Sequence, residues 1–199
     1  MKILVIGASG TIGKAVVAAA STDNKIITAN HNSGDFQVNL EDAASIKAMF
    51  EQVGKIDAVV SVAGQANFGP LAELKDEDFQ LGLQNKLMGQ VNLLRIGQDY
   101  INRGGSLTLT SGILSRHPIP GSASIAMLNG ALESFIRAAA LEIEQIRINV
   151  VAPAFVKETM DMMGMDSTHG ISAADTAKAY IAALNGNQHG QTLDTADYI

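Results

Sequence analysis

The stretch Gly7-Ala8-Ser9-Gly10-Thr11-Ile12-Gly13 follows a short apolar run and opens a helical one. Glycines in that setting let the backbone turn tightly and come close to a pyrophosphate. The helix behind them offers unpaired N–H groups and the positive end of a dipole. Gly7, Ser9, Gly10, Thr11, Ile12 and Gly13 are therefore candidate dinucleotide-binding residues. Their spacing is G-x-x-G-x-x-G rather than G-x-G-x-x-G, and the plainer alternative is a turn that only joins strand to helix.

The residues after the second apolar run bear on which dinucleotide would fit. They are Asn30-His31-Asn32-Ser33-Gly34, with no acid before Asp35. A carboxylate at this place would bind the ribose 2′-hydroxyl of NAD. Neutral Asn30, His31 and Ser33 tolerate a 2′-phosphate better, although no arginine is present to clamp one and Lys14 is the nearest cation in sequence. NADP(H) is favoured on this ground and NAD(H) remains open; Asn, Ser and Gly are also ordinary turn residues. Asn39 and Leu40, beyond the third apolar run, are assigned to the same cofactor site.

Composition narrows the remaining chemistry. The chain has no cysteine, which excludes disulfides, thiolate ligands and cysteine nucleophiles, and its four histidines stand at no metal-ligand spacing. No metal site is expected. A net charge of −6 disfavours phosphate-backbone binding, so nucleic acid is not an expected partner. Mean hydropathy is +0.15, yet no apolar run approaches the roughly 20 residues that cross a bilayer. The apolar start ends at Gly7, too early for a secretory signal, so the expected location is cytoplasmic.

The elements that must position these residues alternate along the whole chain. Apolar runs at 2–6, 25–29, 36–38, 56–62, 106–110, 147–151 and 192–193 read as strands. Helical periodicity falls at 11–20, 41–52, 76 to about 103 with a break at Gly82 or Gly89, 122–144 and 173–184. The Met-rich stretch 157–170 reads as a mobile loop. Near-continuous apolar strands alternating with helices imply parallel pairing covered on both sides. The expected fold is α/β: one doubly wound Rossmann-type parallel sheet of about seven strands with helices on both faces, a single domain over 1–199.

Several further segments carry a resemblance. Ser61-Val62-Ala63-Gly64, Thr108-Leu109-Thr110-Ser111-Gly112, the run from Asn129 to Glu142, and Ile146-Arg147-Ile148-Asn149-Val150-Val151-Ala152-Pro153-Ala154 fall in a fixed order around the glycine loop. Together they resemble the short-chain dehydrogenase/reductase family over nearly the whole chain. The resemblance implies that Ala63 and Gly64 flank the cofactor, and that Pro153, Val156 and Thr159 meet its nicotinamide end and phosphate. It implies a Tyr-x-x-x-Lys pair on the helix after Ser111, but Ile125 and Asn129 stand at those two places. It implies an asparagine of a proton relay where this chain has Lys86.

The catalytic set expected from this reading is Ser111 and Lys86, with Ser111 hydrogen-bonding a substrate carbonyl; Ser115 and His117 are lesser candidates. The expected activity is NADP(H)-dependent oxidoreduction of a small carbonyl or alcohol substrate. Two alternatives stay open: a non-catalytic dinucleotide sensor or interaction protein, and an isomerase or lyase that keeps its cofactor bound. Small residues such as Gly89, Ala131 and Ala138 on the long helices, with the family's habit of pairing them, imply a homodimer or homotetramer.

Overall fold

The protein is described here by a computed structural model covering residues 1–199. In chain order the elements are β1 (Lys2–Ile6), α1 (Thr11–Ala20), β2 (Lys25–Asn30), β3 (Phe36–Gln37), α2 (Ala43–Val53), β4 (Ile56–Ser61) and α3 (Asp76–Leu81). A π-helical segment Gly82–Met88 continues α3 into α4 (Gly89–Gly97). β5 (Ile101–Thr110), α5 (Ala123–Ala139), β6 (Arg147–Ala152), α6 (Lys157–Met162), α7 (Ala173–Asn185) and β7 (Thr192–Asp194) complete the chain. One sheet joins all seven strands in the order β3-β2-β1-β4-β5-β6-β7, and every pairing is parallel.

The side-chain alternation of β1 shows why both faces are covered. Leu4 and Ile6 pack with Phe50, Leu93 and Leu132 of α2, α4 and α5. Ile3 and Val5 point the other way, onto Val16, Ala177 and Tyr180 of α1 and α7. Successive residues of a strand face opposite sides, so a central strand between two helix layers must be apolar throughout.

Three segments differ from the sequence reading. The long helix does not run to Arg103; α4 stops at Gly97 and β5 already starts at Ile101. Ile101 is buried and pairs with Ile56, and the register shifts between Ile56 and Ala58. Gly104, among the extra residues of β5 at this shift, has φ +83°. The expected break at Gly82 or Gly89 is instead the π-helical stretch between them. A Cβ on Gly82 would meet Leu128 at 2.4 Å and one on Gly89 would meet Leu40 at 2.8 Å, so both glycines mark close approach rather than an end.

The segment 157–170 holds a helix, α6, which the sequence did not announce. A parallel bridge from Val156 to Ile171 closes its base, and Glu158 accepts a hydrogen bond from the Ala173 N–H at 2.8 Å. Helix α5 ends at Ala139, short of Glu144, and Leu141 beyond it is 84% exposed. No helix is long and apolar enough to cross a membrane.

Candidate active site

The glycine loop sits at the carboxyl end of β1, where ligands bind in doubly wound sheets. Helix α1 starts on Gly10, which has no side chain to cap it, so the first-turn N–H groups stay open toward the loop. Gly7 has φ +85°, and a Cβ there would lie 2.9 Å from the Val62 carbonyl carbon. A Cβ on Gly13 would lie 2.0 Å from Gly7 O. Loop and helix therefore pack too closely for any side chain. The resulting cradle, with its open N–H groups, fits a pyrophosphate.

A cleft of about 360 Å³ opens beside the loop, lined by Gly7, Ser9, Gly10, His31, Asn39 and Leu40 among others. Asn30 lines it too, but its Oδ1 accepts from Ser9 N at 2.9 Å and from Ser9 Oγ at 3.1 Å, so it holds the loop in shape. Ser33 is exposed and lies outside the lining, and Lys14 is likewise exposed and outside it. Thr11 and Gly13 sit behind the loop rather than on the cleft wall. Asp35 folds back on β2: hydrogen bonds from the backbone and hydroxyl of Thr28 hold its carboxyl below the usual range. Sequence reasoning missed Glu41 and Gln65 on this wall. Asn85 joins them, donating to Glu41 Oε1 at 2.9 Å and accepting from Gln65 N at 2.8 Å.

A second cleft, about 460 Å³, shares Val62, Ala63 and Gly64 with the first. It gathers Ile12, Pro153, Val156 and Thr159 with Lys86, Ser111, Ile125 and Asn129. Most of its wall is apolar, Phe68, Ile113, Phe155, Met160, Met163 and Met165 included. Lys86 is the one ionisable residue that lines it. Its ammonium donates to Thr110 O at 3.4 Å and Ser111 O at 3.3 Å, and no carboxylate pairs with it. Burial without a counter-charge lowers its pKa from 10.5 to about 8.

The strand end beneath the lysine is fixed by several bonds. Gln90 of α4 clamps Thr110 twice, accepting from its N–H at 2.8 Å and donating to its carbonyl at 2.9 Å. Thr110 Oγ1 donates to Ser61 O at 2.6 Å and lies 2.7 Å from the Tyr180 hydroxyl. Tyr180 is wholly buried behind the sheet, Tyr100 stacks on Phe50, and Tyr198 packs against the α1–α7 layer, so no tyrosine lines the cleft.

Ser111 is placed at the cleft, and its hydroxyl is hydrogen-bonded within the protein. Ser111 Oγ donates to Glu133 Oε1 at 3.1 Å, with Val151 O at 3.4 Å as a second acceptor. Its Oγ is held at the edge of the cleft by these contacts. Glu133, 4% exposed, also accepts from Ser115 Oγ at 2.6 Å and pairs with Arg116 at 3.4 Å, which in turn holds Asp194. Glu133 was invisible as a site residue because its position on α5 reads as one more helix carboxylate. His117 is exposed and outside the cleft. Asn129 is 1% exposed, and its Oδ1 has no hydrogen-bond partner.

Comparison with known proteins places the chain. The family described as enoyl-(acyl carrier protein) reductase matches residues 7–189. The chain belongs to the short-chain dehydrogenase/reductase family. A short-chain dehydrogenase/reductase of Stachybotrys chlorohalonatus is 30% identical, over 97% of this chain and 94% of that one. The crystal structure of the protein lin1944 from Listeria innocua is 43% identical, covers 98% of both chains and superposes with a TM-score of 0.94. A small-chain dehydrogenase solved in complex with NADPH, 24% identical, covers 98% of this chain and 95% of that one with a TM-score of 0.88, and shares the fold. In this family member the two clefts lie side by side, with Val62, Ala63 and Gly64 as common wall.

Proposed function

We propose that the protein is an NADP(H)-dependent oxidoreductase that reduces a small carbonyl compound, with Lys86 as proton donor. The observation that carries this reading is Lys86 itself: one unpaired ammonium on the floor of an apolar cleft that adjoins the glycine cradle. Family membership and the NADPH held by a structural neighbour support the cofactor assignment. The open N–H groups of α1 and Gly7, Ser9 and Gly10 would hold the pyrophosphate; His31, Asn39 and Leu40 would face the adenosine half, and Ala63, Gly64, Pro153, Val156 and Thr159 the nicotinamide half.

When bound, the cofactor supplies a hydride to the carbonyl carbon. The chain's own residues do the rest. The Lys86 ammonium polarises the carbonyl oxygen and then protonates it; a pKa near 8 suits an acid working close to neutral pH. Thr110 and Gln90 hold the strand end that positions the ammonium. Ser111 lines the same cleft, and its backbone carbonyl helps to hold the ammonium. The apolar wall keeps water away and favours loss of the lysine's proton.

The neutral residues after β2 support a preference for NADPH over NADH. Met88 and Met127, about 40–45% exposed on α4's approach and on α5, support pairing of two copies through these helices, as homodimer or homotetramer. A cytoplasmic location is part of the same reading. The decisive experiment measures NADPH and NADH affinity by calorimetry at one salt concentration and then follows NADPH oxidation with a panel of carbonyl compounds. NADPH binding with carbonyl-dependent oxidation supports the reading. Tight NADPH binding with no turnover on any carbonyl moves the protein to the sensor class, and absence of NADPH binding ends it.

A further inference from the structure

The side chains of the second cleft offer a ligand donors and one positive charge. An ammonium has three N–H groups. Those of Lys86 have two acceptors in the protein, Thr110 O at 3.4 Å and Ser111 O at 3.3 Å, both long contacts, so one N–H remains for a ligand. Of the Asn129 amide, Oδ1 is sealed from solvent, whereas Nδ2 is not sealed and makes no bond to the protein. The cleft therefore meets the donor end of that side chain. The hydroxyls of Ser111 and Thr110 are engaged with Glu133 and Ser61 O.

No carboxylate lines this cleft. Glu133, which accepts from Ser111, also bonds Ser115 and pairs with Arg116, and it stands outside the lining. A cation in an apolar setting without a counter-charge is costly, and a ligand anion offsets that cost. The two donors are neighbours across a single peptide unit: Lys86 Nζ bonds Ser111 O, and Asn129 Nδ2 lies 2.8 Å from where a Cβ on Gly112, the next residue, would stand. Donors so placed suit oxygens on adjacent carbons. Phe68, Met163 and Met165 line the same cleft and are 49%, 65% and 42% exposed, which suits an apolar body beyond those oxygens.

We infer that the substrate is a 2-oxo acid with an apolar body, an anion whose carbonyl oxygen meets the Lys86 ammonium and whose carboxylate accepts from Asn129 Nδ2. The inference rests on the reductase reading above. The carbonyl carbon receives the hydride, the electron pair of the broken C=O π bond takes the Lys86 proton, and a 2-hydroxy acid and NADP⁺ result. Lys86 regains its proton from water.

The test uses benzoylformate and acetophenone, which differ by a carboxylate in place of a methyl. Two quantities are read: kcat/KM for NADPH oxidation, and calorimetric binding of each compound to the NADP⁺-loaded protein, which needs no turnover. The expected result is a preference of at least roughly tenfold for benzoylformate in both. Lys86→Met should erase the binding preference with the NADP⁺ Kd unchanged, and Asn129→Leu should reduce it. Because the Lys86 pKa is about 8, pairing with an anion should also draw a proton onto the wild-type protein at pH 8.5. Calorimetry in two buffers of different ionisation enthalpy reads that uptake, and acetophenone should cause none. Equal handling of the two compounds, or a benzoylformate preference that survives in Lys86→Met, overturns the inference and leaves the reductase reading standing. Loss of NADP⁺ binding in a folded Asn129→Leu assigns that amide to the cofactor and overturns it too. If either variant fails to fold, the wild-type preference and proton uptake decide. A wild-type protein that binds no NADPH removes the reductase reading and this inference with it.

Discussion

Lys86 lies across the bare face of Gly64. A Cβ on Gly64 would stand 3.0 Å from Lys86 Cγ and 3.2 Å from Lys86 Cα, and Gly64 holds φ +144°, where other residues are strained. The glycine thus makes room for the aliphatic stem that carries the ammonium to the strand end. Gly64→Ala should cost about 1–3 kcal/mol of stability and push the stem off its path. Reductase kcat/KM should fall at least roughly tenfold, about 1.4 kcal/mol of transition-state stabilisation. Steady-state kinetics beside a thermal melt checks both. An Ala variant with full activity would show that Lys86 does not need this passage.

The lysine should set the pH dependence. Its pKa is lowered from 10.5 to about 8 by burial. Reduction consumes the ammonium's proton, so kcat/KM should be flat below about 8 and decline above it. Lys86→Met should remove that limb and lower kcat/KM at least roughly tenfold. The linkage has the opposite sense: between about 8 and 10.5 the unfolded chain binds the proton that the folded site has lost. Stability should therefore rise with pH across that window in the wild type relative to Lys86→Met, as denaturant melts at several pH values would show.

Glycine-loop variants should separate cofactor binding from folding. Gly10 faces the cleft, and a Cβ there meets nothing closer than Gly7 O at 3.4 Å. Gly10→Asp should fold, yet abolish NADPH binding by placing charge and bulk at the open end of α1. Gly13→Ala should instead destabilise the protein, since its Cβ would overlap Gly7 O at 2.0 Å. Calorimetry and thermal melts together distinguish the two; NADPH affinity unchanged in Gly10→Asp would remove the loop as the site.

The buried carboxylate under the cleft should be structural for Ser111. Glu133→Ala strips an acceptor from the Ser111 and Ser115 hydroxyls and leaves Arg116 with Asp194 alone. The expected cost is about 1–3 kcal/mol, or a drop of about 2–4 °C in Tm for each kcal/mol in a chain of this size. Glu133→Gln keeps one oxygen acceptor and should lose less. Equal Tm for wild type and Glu133→Ala would show that the hydroxyls find other partners at no cost.

Much of the architecture follows from local pattern. The strands are readable because a sheet covered on both faces needs apolar residues at every strand position, as Ile3 to Ile6 show by splitting between the two helix layers. The glycine loop is readable because close packing of loop on helix leaves room for nothing else at Gly7 and Gly13. Element ends were less legible: Ile101 looked helical by its neighbours, but pairing with Ile56 made it a strand. Helix α6 hid in a Met-rich run because its stability comes from the Val156–Ile171 bridge and Glu158, contacts remote in sequence.

The sequence by itself determined the parallel α/β sheet, the tight glycine loop at the end of β1 and the absence of a tyrosine where the family's pattern has one. Those depend on periodicity, backbone sterics and residue identity within short windows. Only the tertiary structure decided which way Ser111 turns, that Glu133 lies beneath it, that Asn129 Oδ1 is left without a donor, and that Lys86 is the one ionisable group on the cleft wall. A hydrogen bond's direction and a charge's isolation depend on what stands opposite, and in this fold the opposing groups come from strands and helices far apart in the chain.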